Sequence, residues 1–295
     1  LGAEVIKVEP SGGDAARKAG PFPNDIADPE TSGLFLYLNT GKKSITLDLQ
    51  QGSDRRSLMD LAKDSDIVVE NYAPGWLDSL GLGYADLANS NPQLVMVSIT
   101  PFGQYGPYRN FQSTDHVVHA LGGELYLAGD PDREPLKKGG NLTEYHGGLH
   151  GYVGALAALS VRQTTGRGQH VDVSLLEGTT SVIGGPFRQS VYTGTPSLRR
   201  GADANPWPTG VWLTKNGHIM AHSRPTVDWW PSFLAMTADV PEFANPEYAT
   251  PEGRASHVEQ LDVLFQSWLV ERSKEHIYHL AQHHGLPFGF VAAAP

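Results

Sequence analysis

Short stretches in which apolar and polar residues alternate recur through the first half of the chain, and helical patterns separate them. The β-rich runs are EVIKVE, SITLDL, DIVVEN and LVMVSI, at residues 4–9, 44–49, 66–71 and 94–99. Between the second and third runs, residues 54–62 place Leu58, Leu61 and Ala62 on one helical face. Strands separated by helices of this length predict a parallel sheet with right-handed crossovers, and therefore an α/β domain.

The second half of the chain begins with helical patterns and then changes character. Residues 115–127 and 145–163 have helical periodicity, and QHVDVSLLE at 169–177 returns to a strand followed by a helix. Proline and glycine between 186 and 208 indicate turns. GVWLTKNGHIMAHS predicts a hairpin that turns at Asn216-Gly217, and helical patterns follow it. We therefore expect a large α/β domain over 1–190, a linker and hairpin over 191–224, and a smaller α+β domain over 225–295.

Composition narrows the classes of function. The 295 residues carry a net charge of -10, which argues against a nucleic-acid or anionic-membrane partner. The chain has no Cys, so disulfides, thiolate catalysis and Cys-ligated zinc are excluded, and a reducing cytoplasm is the expected location. No apolar run has membrane-spanning length. Because the chain opens at LGAEVIKVEP without Met and stops at GFVAAAP after a strand-like run, we expect a segment of a longer polypeptide.

Histidine pairs raise the question of a metal site. His146 and His150 are four residues apart, and His116 and His119 three, so each pair could share a helix face. Neither pair has the Glu placement of a zincin motif, and a catalytic zinc needs three protein ligands. We favour histidines that make ordinary hydrogen bonds, and no metal.

Two loops at predicted strand ends are candidates for ligand binding, since ligands gather at the carboxyl edge of a parallel sheet. EPSGGDAARKAG follows the first strand and brings backbone amides and Arg17 to that edge, where they suit a phosphate. A plain surface loop explains the same residues. After the third strand, Asn71 could bond to an amide or hydroxyl and Tyr72 could cover a ring, while the alternative is a turn before a helix.

Glu144 stands before a Gly147-Gly148 pair and a long apolar helical pattern. A carboxylate can attack an activated acyl group to give a mixed anhydride. Backbone amides would have to stabilise the oxyanion, and glycines let such amides approach closely. The alternative is an acidic residue that complements the dipole at a helix N-terminus.

The motifs taken together carry a family resemblance. LYLNTGKKSITLDL, DIVVENYAPGWLDSLGLGY, NPQLVMVSITPFGQYGPY, TDHVVHALGG and TGRGQHVDVSLLE follow one another in the order typical of class III coenzyme A transferases, which the chain resembles over nearly its whole length. This group includes formyl-CoA and carnitine-CoA transferases, bile-acid-inducible transferases and α-methylacyl-CoA racemases. The resemblance implies a Rossmann-like parallel sheet in a large domain, a smaller α+β domain and an interlocked homodimer. It also implies that a further strand and helix precede Leu1.

The resemblance further implies an activity and a site. The expected reaction moves coenzyme A from an acyl-CoA to a carboxylic acid, with both as substrates and no tightly bound cofactor. Asn71 and Tyr72 match the stretch that lines the pantetheine and adenine region of CoA. The residues expected near its phosphates are Arg17, Lys42 and Lys43. Asp115 matches an acidic position of the family, Glu144 falls where the transferases carry their nucleophilic Asp, and Gly147 and Gly148 would supply the oxyanion donors.

The chain departs from the family pattern in places. Glu144 has a reference pKa near that of Asp, about 4.3 against 3.9, but its extra methylene moves the carboxylate by about 1.5 Å. No glycine-rich lid loop occurs between Gly201 and Ser223. The racemase branch uses a His where this chain has Thr114. The alternatives to a CoA transferase are therefore a non-catalytic CoA-binding partner subunit, and a racemase or isomerase acting on acyl-CoA.

Overall fold

The computed structural model describes residues 2–199, 206–223 and 227–293. The chain divides into two compact units, one of Leu1–Leu125 with Lys137–Pro196 and the other of Tyr126–Leu136 with Ser197–Pro295. Part of the expected linker, 200–205, and the expected boundary at 224/225 lie outside the described residues. The hairpin that the sequence assigns to the connecting region belongs to the second unit.

The strands of the first unit are all parallel to their neighbours. They are β1 (Ile6–Glu9), β2 (Lys43–Thr46), β3 (Ile67–Glu70), β4 (Val95–Thr100) and β5 (His170–Ser174). The chain up to residue 193 also contains the helices α1 (Gly33–Asn39), α2 (Gly52–Lys63), α3 (Trp76–Ser79), α4 (Tyr84–Ser90), α5 (Asp115–Leu121), α6 (Glu124–Leu127), α7 (Leu142–Thr165), α8 (Leu175–Val182) and α9 (Gly184–Thr193). The predicted α/β class with parallel strands is confirmed.

The strands form two sheets where the sequence pattern suggested one. β1 pairs with β2, and β3, β4 and β5 form a second sheet in that order. In the second sheet Glu70 lies opposite Ser98, and Ser98 lies opposite Asp172. Because parallel strands end at one edge, the loops after β3 and β4 emerge side by side.

Helix α7 packs closely on this second sheet. A Cβ atom on Gly147 would lie 2.1 Å from Leu175 Cδ2, and one on Gly151 would lie 2.9 Å from Ile99 Cδ1. Ala155 and Ala158 continue the same buried face against Val95, Val97 and Val173. Small residues on this face of α7 therefore bring the helix, and its N-terminus, close to the end of β4.

Two local predictions differ from the structure. Helix α9 covers Pro186 and the first part, up to Thr193, of the region for which turns were predicted. Pro186 is tolerated there because it lies in the first turn, where amide groups have no partner within the helix. The hairpin of the second unit forms as predicted, but its pairing ends at Thr214 and Gly217, so the turn residues are Lys215 and Asn216.

The second unit packs helices around an aromatic core. Its strands are β6 (Gly210–Thr214), β7 (Gly217–Ala221) and β8 (Gly289–Phe290), joined as an antiparallel sheet. Its helices are α10 (Trp230–Met236), α11 (Pro251–Ser256), α12 (Val258–Val270) and α13 (Lys274–His283). Trp207, Trp229 and Trp230 are buried with Phe233 and Phe265 in one cluster, so these tryptophans are core residues. None of the helices in the described ranges has both the length and the apolar character needed to cross a membrane.

Candidate active site

Glu144 lies in the first turn of α7, which begins at Leu142. The sequence pattern placed it just ahead of the helix, but the helix starts two residues earlier. The residue is exposed, and the Asn141 side chain donates a hydrogen bond to its carboxylate. The partial positive charge of the helix N-terminus stabilises a negative charge at this position.

Asp115, the first residue of α5, anchors this end of α7. Its Oδ1 accepts hydrogen bonds from the Thr143 backbone N–H at 3.1 Å and from the Thr143 hydroxyl at 2.7 Å. The N-cap residue Asn141 makes no capping side-chain bond, so Asp115 caps α7 from a neighbouring helix. Its other oxygen, Oδ2, is paired with Lys137 Nζ at 2.7 Å.

The pKa values of the Asp115 and Glu144 carboxyl groups are shifted in opposite directions. Burial would raise the pKa of Asp115, but the bonds from Lys137 and Thr143 outweigh burial and lower that pKa. Partial burial and the negative charge of Asp115 raise the pKa of Glu144, against the bond from Asn141. Asp115 is thus held ionised as a structural anion. Glu144 is exposed, and its Coulomb interaction with Asp115 is repulsive.

Gly147 and Gly148 occupy the interior of α7. In an α-helix the amide of each interior residue donates to the carbonyl four residues earlier, so both amides are committed to the helix. Gly147 is buried against Leu175, whereas a Cβ on Gly148 would meet nothing within 4 Å. Close packing against Leu175 therefore explains why position 147 is a glycine. The backbone amides of the first turn of α7 are closer to Glu144 in sequence than the amides of Gly147 and Gly148.

The loop after β3 presents Asn71 and Tyr72 at the sheet edge, both exposed. The Tyr72 amide donates to Glu70 Oε2 at 2.7 Å, and the Tyr72 ring lies 4.3 Å from that of Trp76, centroid to centroid. Gly75 has φ +80° and precedes α3, a backbone conformation that glycine adopts without strain. The loop is therefore held in a defined shape with its side chains accessible.

Arg17 is the most engaged of the predicted phosphate ligands. Its Nε donates to Glu9 Oε2 at 2.7 Å and its guanidinium also bonds to Glu30 at 3.1 Å and covers the Phe35 ring at 3.8 Å. The bond from Arg17 is the main reason that the pKa of the buried Glu9 falls to about 2. Much of the Arg17 charge is thus neutralised within the protein, a constraint that the sequence did not reveal.

Lys42 and Lys43 are exposed at the start of β2. Lys43 Nζ pairs with the exposed Glu4 at 2.5 Å, and Lys42 Nζ donates to Asn39 Oδ1 at 2.9 Å. Exposed contacts of this kind are weak, so a ligand phosphate can compete for both ammonium groups.

A cavity of about 310 Å³, which the sequence did not predict, lies near the ends of β3 and β4. Its lining includes Glu70 and Ser98 from adjacent strands, His170 from β5, and Tyr84 and Arg109 from the segments that cover the sheet. The signal was present in the alternation of β4 and β5, because residues 96, 98, 170 and 172 share a sheet face. The sequence alone does not give the register in which β3, β4 and β5 pair, so it could not show that these side chains lie together.

The two members of each histidine pair lie in different surroundings. His119 is fully buried with Nδ1 3.5 Å from Glu124 Oε2, while His116 is exposed. His150 Nε2 lies 3.0 Å from the Ser181 hydroxyl, and His146 Nδ1 is buried without a hydrogen-bond partner. Within the part of the chain that the structure describes, no group of three or more His, Cys, Asp or Glu could hold a metal ion.

Comparison with known proteins identifies the family. The sequence profile of CoA-transferase family III matches residues 1–294. Succinyl-CoA–D-citramalate CoA-transferase of Chloroflexus aurantiacus is 32% identical over 307 residues, which cover 100% of this chain and 73% of that protein. The beta subunit of succinyl-CoA–L-malate CoA-transferase from the same organism is 36% identical, over 91% of this chain and 66% of the subunit.

A solved structure has the same fold. A CAIB/BAIF family protein from Brucella suis superposes with a TM-score of 0.86 at 30% identity, over 99% of this chain and 78% of that one. The match of the family profile extends across both compact units. The chain therefore belongs to CoA-transferase family III, as its motifs predicted.

Proposed function

We propose that the protein transfers coenzyme A from an acyl-CoA thioester to a carboxylic acid, with Glu144 as the covalent nucleophile. Membership in CoA-transferase family III and the activities named for the relatives support the class of reaction. The observation that carries the role of Glu144 is its position: an accessible carboxylate in the first turn of α7, which Asp115 fixes through Thr143.

The proposed reaction proceeds through two kinds of covalent intermediate. The Glu144 carboxylate attacks the thioester carbonyl carbon of the donor, the C–S bond breaks, and CoA leaves as thiolate. The thiolate then attacks the Glu144 carbonyl of the mixed anhydride, which releases the donor acid and leaves a Glu144 thioester. The acceptor carboxylate attacks this thioester, and the released thiolate attacks the acceptor carbonyl, so that acyl-CoA and free Glu144 form.

Charge develops on oxygen at each of these steps. The sequence assigned its stabilisation to the amides of Gly147 and Gly148, but both lie in the helical ladder of α7. We place it instead at the first turn of α7, where the helix dipole is positive and backbone amides other than that of Thr143, which bonds to Asp115, have no partner within the helix.

Coenzyme A would extend from Glu144 toward the loops at the sheet edges. Asn71 and Tyr72 are exposed and held in shape, which suits contacts to the pantetheine amides and the adenine ring. Lys42 and Lys43 would receive the phosphates, since their present partners are weakly bound at the surface. Arg17 is already paired with Glu9 and Glu30, so it would add little net positive charge to this site.

A second copy of the chain is the proposed partner. Apolar side chains form an exposed stripe along α7, with Leu149 and Val153 both 63% exposed. The stripe also includes Tyr145, Tyr152 and Leu156. An apolar helix face of this extent suits a protein interface, and an intertwined homodimer would cover it.

The expected cytoplasmic location stays a prediction.

A CoA exchange assay tests the proposed function. The full-length protein is incubated with an acyl-CoA and a panel of carboxylic acids, and new acyl-CoA species are followed by mass spectrometry. Transfer to at least one acid, lost in Glu144→Gln, supports the proposal. Deuterium from solvent at the α-carbon without exchange would identify a racemase instead.

A non-catalytic CoA-binding subunit is the second candidate. It is favoured by Glu144 standing in place of the family's Asp, and by a relative that is named as one subunit of a transferase. CoA binding without exchange by the protein alone, and exchange when it is mixed with a catalytic subunit, would support this candidate.

A further inference from the structure

Polar side chains from three adjacent strands are connected on one face of the β3–β4–β5 sheet. The Ser98 hydroxyl bonds to the Glu70 carboxyl across the β3–β4 register and lies 2.8 Å from His170 Nε2. Ser98, at the centre of the network, is only 1% exposed, whereas Glu70 and His170 are half-buried. A buried hydroxyl bonded on both sides helps to orient the side chains next to it.

The network ends at the loop that carries the proposed CoA contacts. Glu70 Oε2 accepts the Tyr72 amide at 2.7 Å, a length typical of a charge-assisted bond. On its other side the loop is held by the contact between the rings of Tyr72 and Trp76. Glu70 therefore connects the buried sheet face to the backbone between Asn71 and Tyr72.

We propose that Glu70 is a positioning residue for coenzyme A: its carboxylate, oriented by Ser98 and His170, fixes the loop that presents Asn71 and Tyr72 to the ligand. This inference rests on the proposed function, in which that loop contacts CoA. Glu70 acts through the loop backbone, and the acceptor acid is bound independently of it.

The proton state of Glu70 links this arrangement to pH. Burial raises the pKa of Glu70, against the bonds from Ser98 and the Tyr72 amide and the charge of His170. The titratable and charged groups that face it are Tyr72, Asp78, Tyr84, Tyr105, Arg109 and His170. As the pH falls through the raised pKa, the carboxylate gains a proton and its bond to the Tyr72 amide loses charge assistance. CoA affinity should therefore fall toward acid pH.

Isothermal titration of CoA into the full-length protein tests the inference. Glu70→Ala removes the acceptor of the Tyr72 amide and is expected to weaken CoA binding about tenfold, the loss for one hydrogen bond to a charged group. Glu70→Gln keeps an acceptor, so at neutral pH its affinity should stay near that of wild type. The CoA affinity of Glu70→Gln should also no longer fall toward acid pH. Glu259→Gln, an exposed change on α12, serves as the matched control and leaves both properties unchanged.

Further readouts separate positioning from a general loss of structure. The KM of the acceptor acid should be the same in all variants, and His170→Gln should retain the acid-side decline because Glu70 still titrates. If Glu70→Ala does not fold, the pH profile of Glu70→Gln decides.

Two results would overturn the inference alone: unchanged CoA affinity in Glu70→Ala, or the same acid-side decline in Glu70→Gln as in wild type. Failure of the wild-type protein to bind CoA would overturn the proposed function as well.

Discussion

At the scale of single residues, the proposed chemistry rests on Asp115 and Glu144. The sequence alone singled out both residues, because their spacing from neighbouring motifs matches the family. It did not reveal that Asp115 caps α7 through Thr143 while raising the pKa of Glu144, since the two residues lie on different helices. It also could not show that Glu9 holds Arg17, a pairing across a loop.

The raised pKa of Glu144 predicts the pH dependence of the reaction. The nucleophile must be ionised, so kcat/KM for the donor should fall as the pH drops through a pKa above the ordinary Glu value of about 4.3. Asp115→Asn removes the negative charge that raises this pKa, so the acid limb should move to lower pH. A pH–rate profile of both proteins checks the shift. An acid limb that stays in place or moves upward in the variant would contradict it.

Anchoring of α7 by Asp115 predicts a loss of activity without loss of ligand binding. Asp115→Ala removes both bonds to Thr143, and a displacement of Glu144 by about 1 Å would lower kcat on the order of a hundredfold. Loss of this cap should also lower the free energy of unfolding by about 1 kcal/mol. Steady-state kinetics and thermal unfolding measure the two effects. Asp115→Asn, which keeps an acceptor for Thr143, is the control and should retain far more activity than the Ala variant.

At the scale of secondary-structure elements, the pattern predicted most strands and helices of both units. Alternation and helical periodicity are local properties, so β1 to β5 and α7 could be read directly. Register and sheet division depend on distant contacts, which explains why two sheets replaced one predicted sheet and why the Glu70 network was missed. Helix α9 was missed because Pro186 and nearby glycines resemble a turn.

The two adjacent glycines of α7 give a matched test of its packing. Gly147→Ala would place a methyl group 2.1 Å from Leu175 Cδ2 and 3.2 Å from Ile99 Cγ2, so we expect a loss of about 1–3 kcal/mol. Gly148→Ala meets no atom within 4 Å and should stabilise the helix by up to about 1 kcal/mol. Urea unfolding of both variants measures the difference. Equal stabilities would mean that Gly147 does not lie at a tight contact.

At the scale of the whole molecule, the exposed apolar stripe of α7 predicts self-association. Wild-type protein should sediment at twice the mass of its chain, and Leu149→Glu should shift it toward monomer because a charge is costly in an apolar interface. Val263→Glu, at a position on α12 that is 68% exposed, is the control and should leave the mass unchanged. Sedimentation velocity distinguishes these outcomes. A monomeric wild type would refute the homodimer.

Chemical trapping of the covalent intermediate is the decisive test of the role proposed for the Glu144 carboxylate. The full-length protein is mixed with an acyl-CoA, treated with hydroxylamine or borohydride, and digested. The mass of the peptide that contains residue 144 is then measured by mass spectrometry. We expect a hydroxamate or alcohol at Glu144 that requires acyl-CoA and is absent in Glu144→Gln. Turnover with an unmodified Glu144 peptide, or an adduct on another residue, would contradict it.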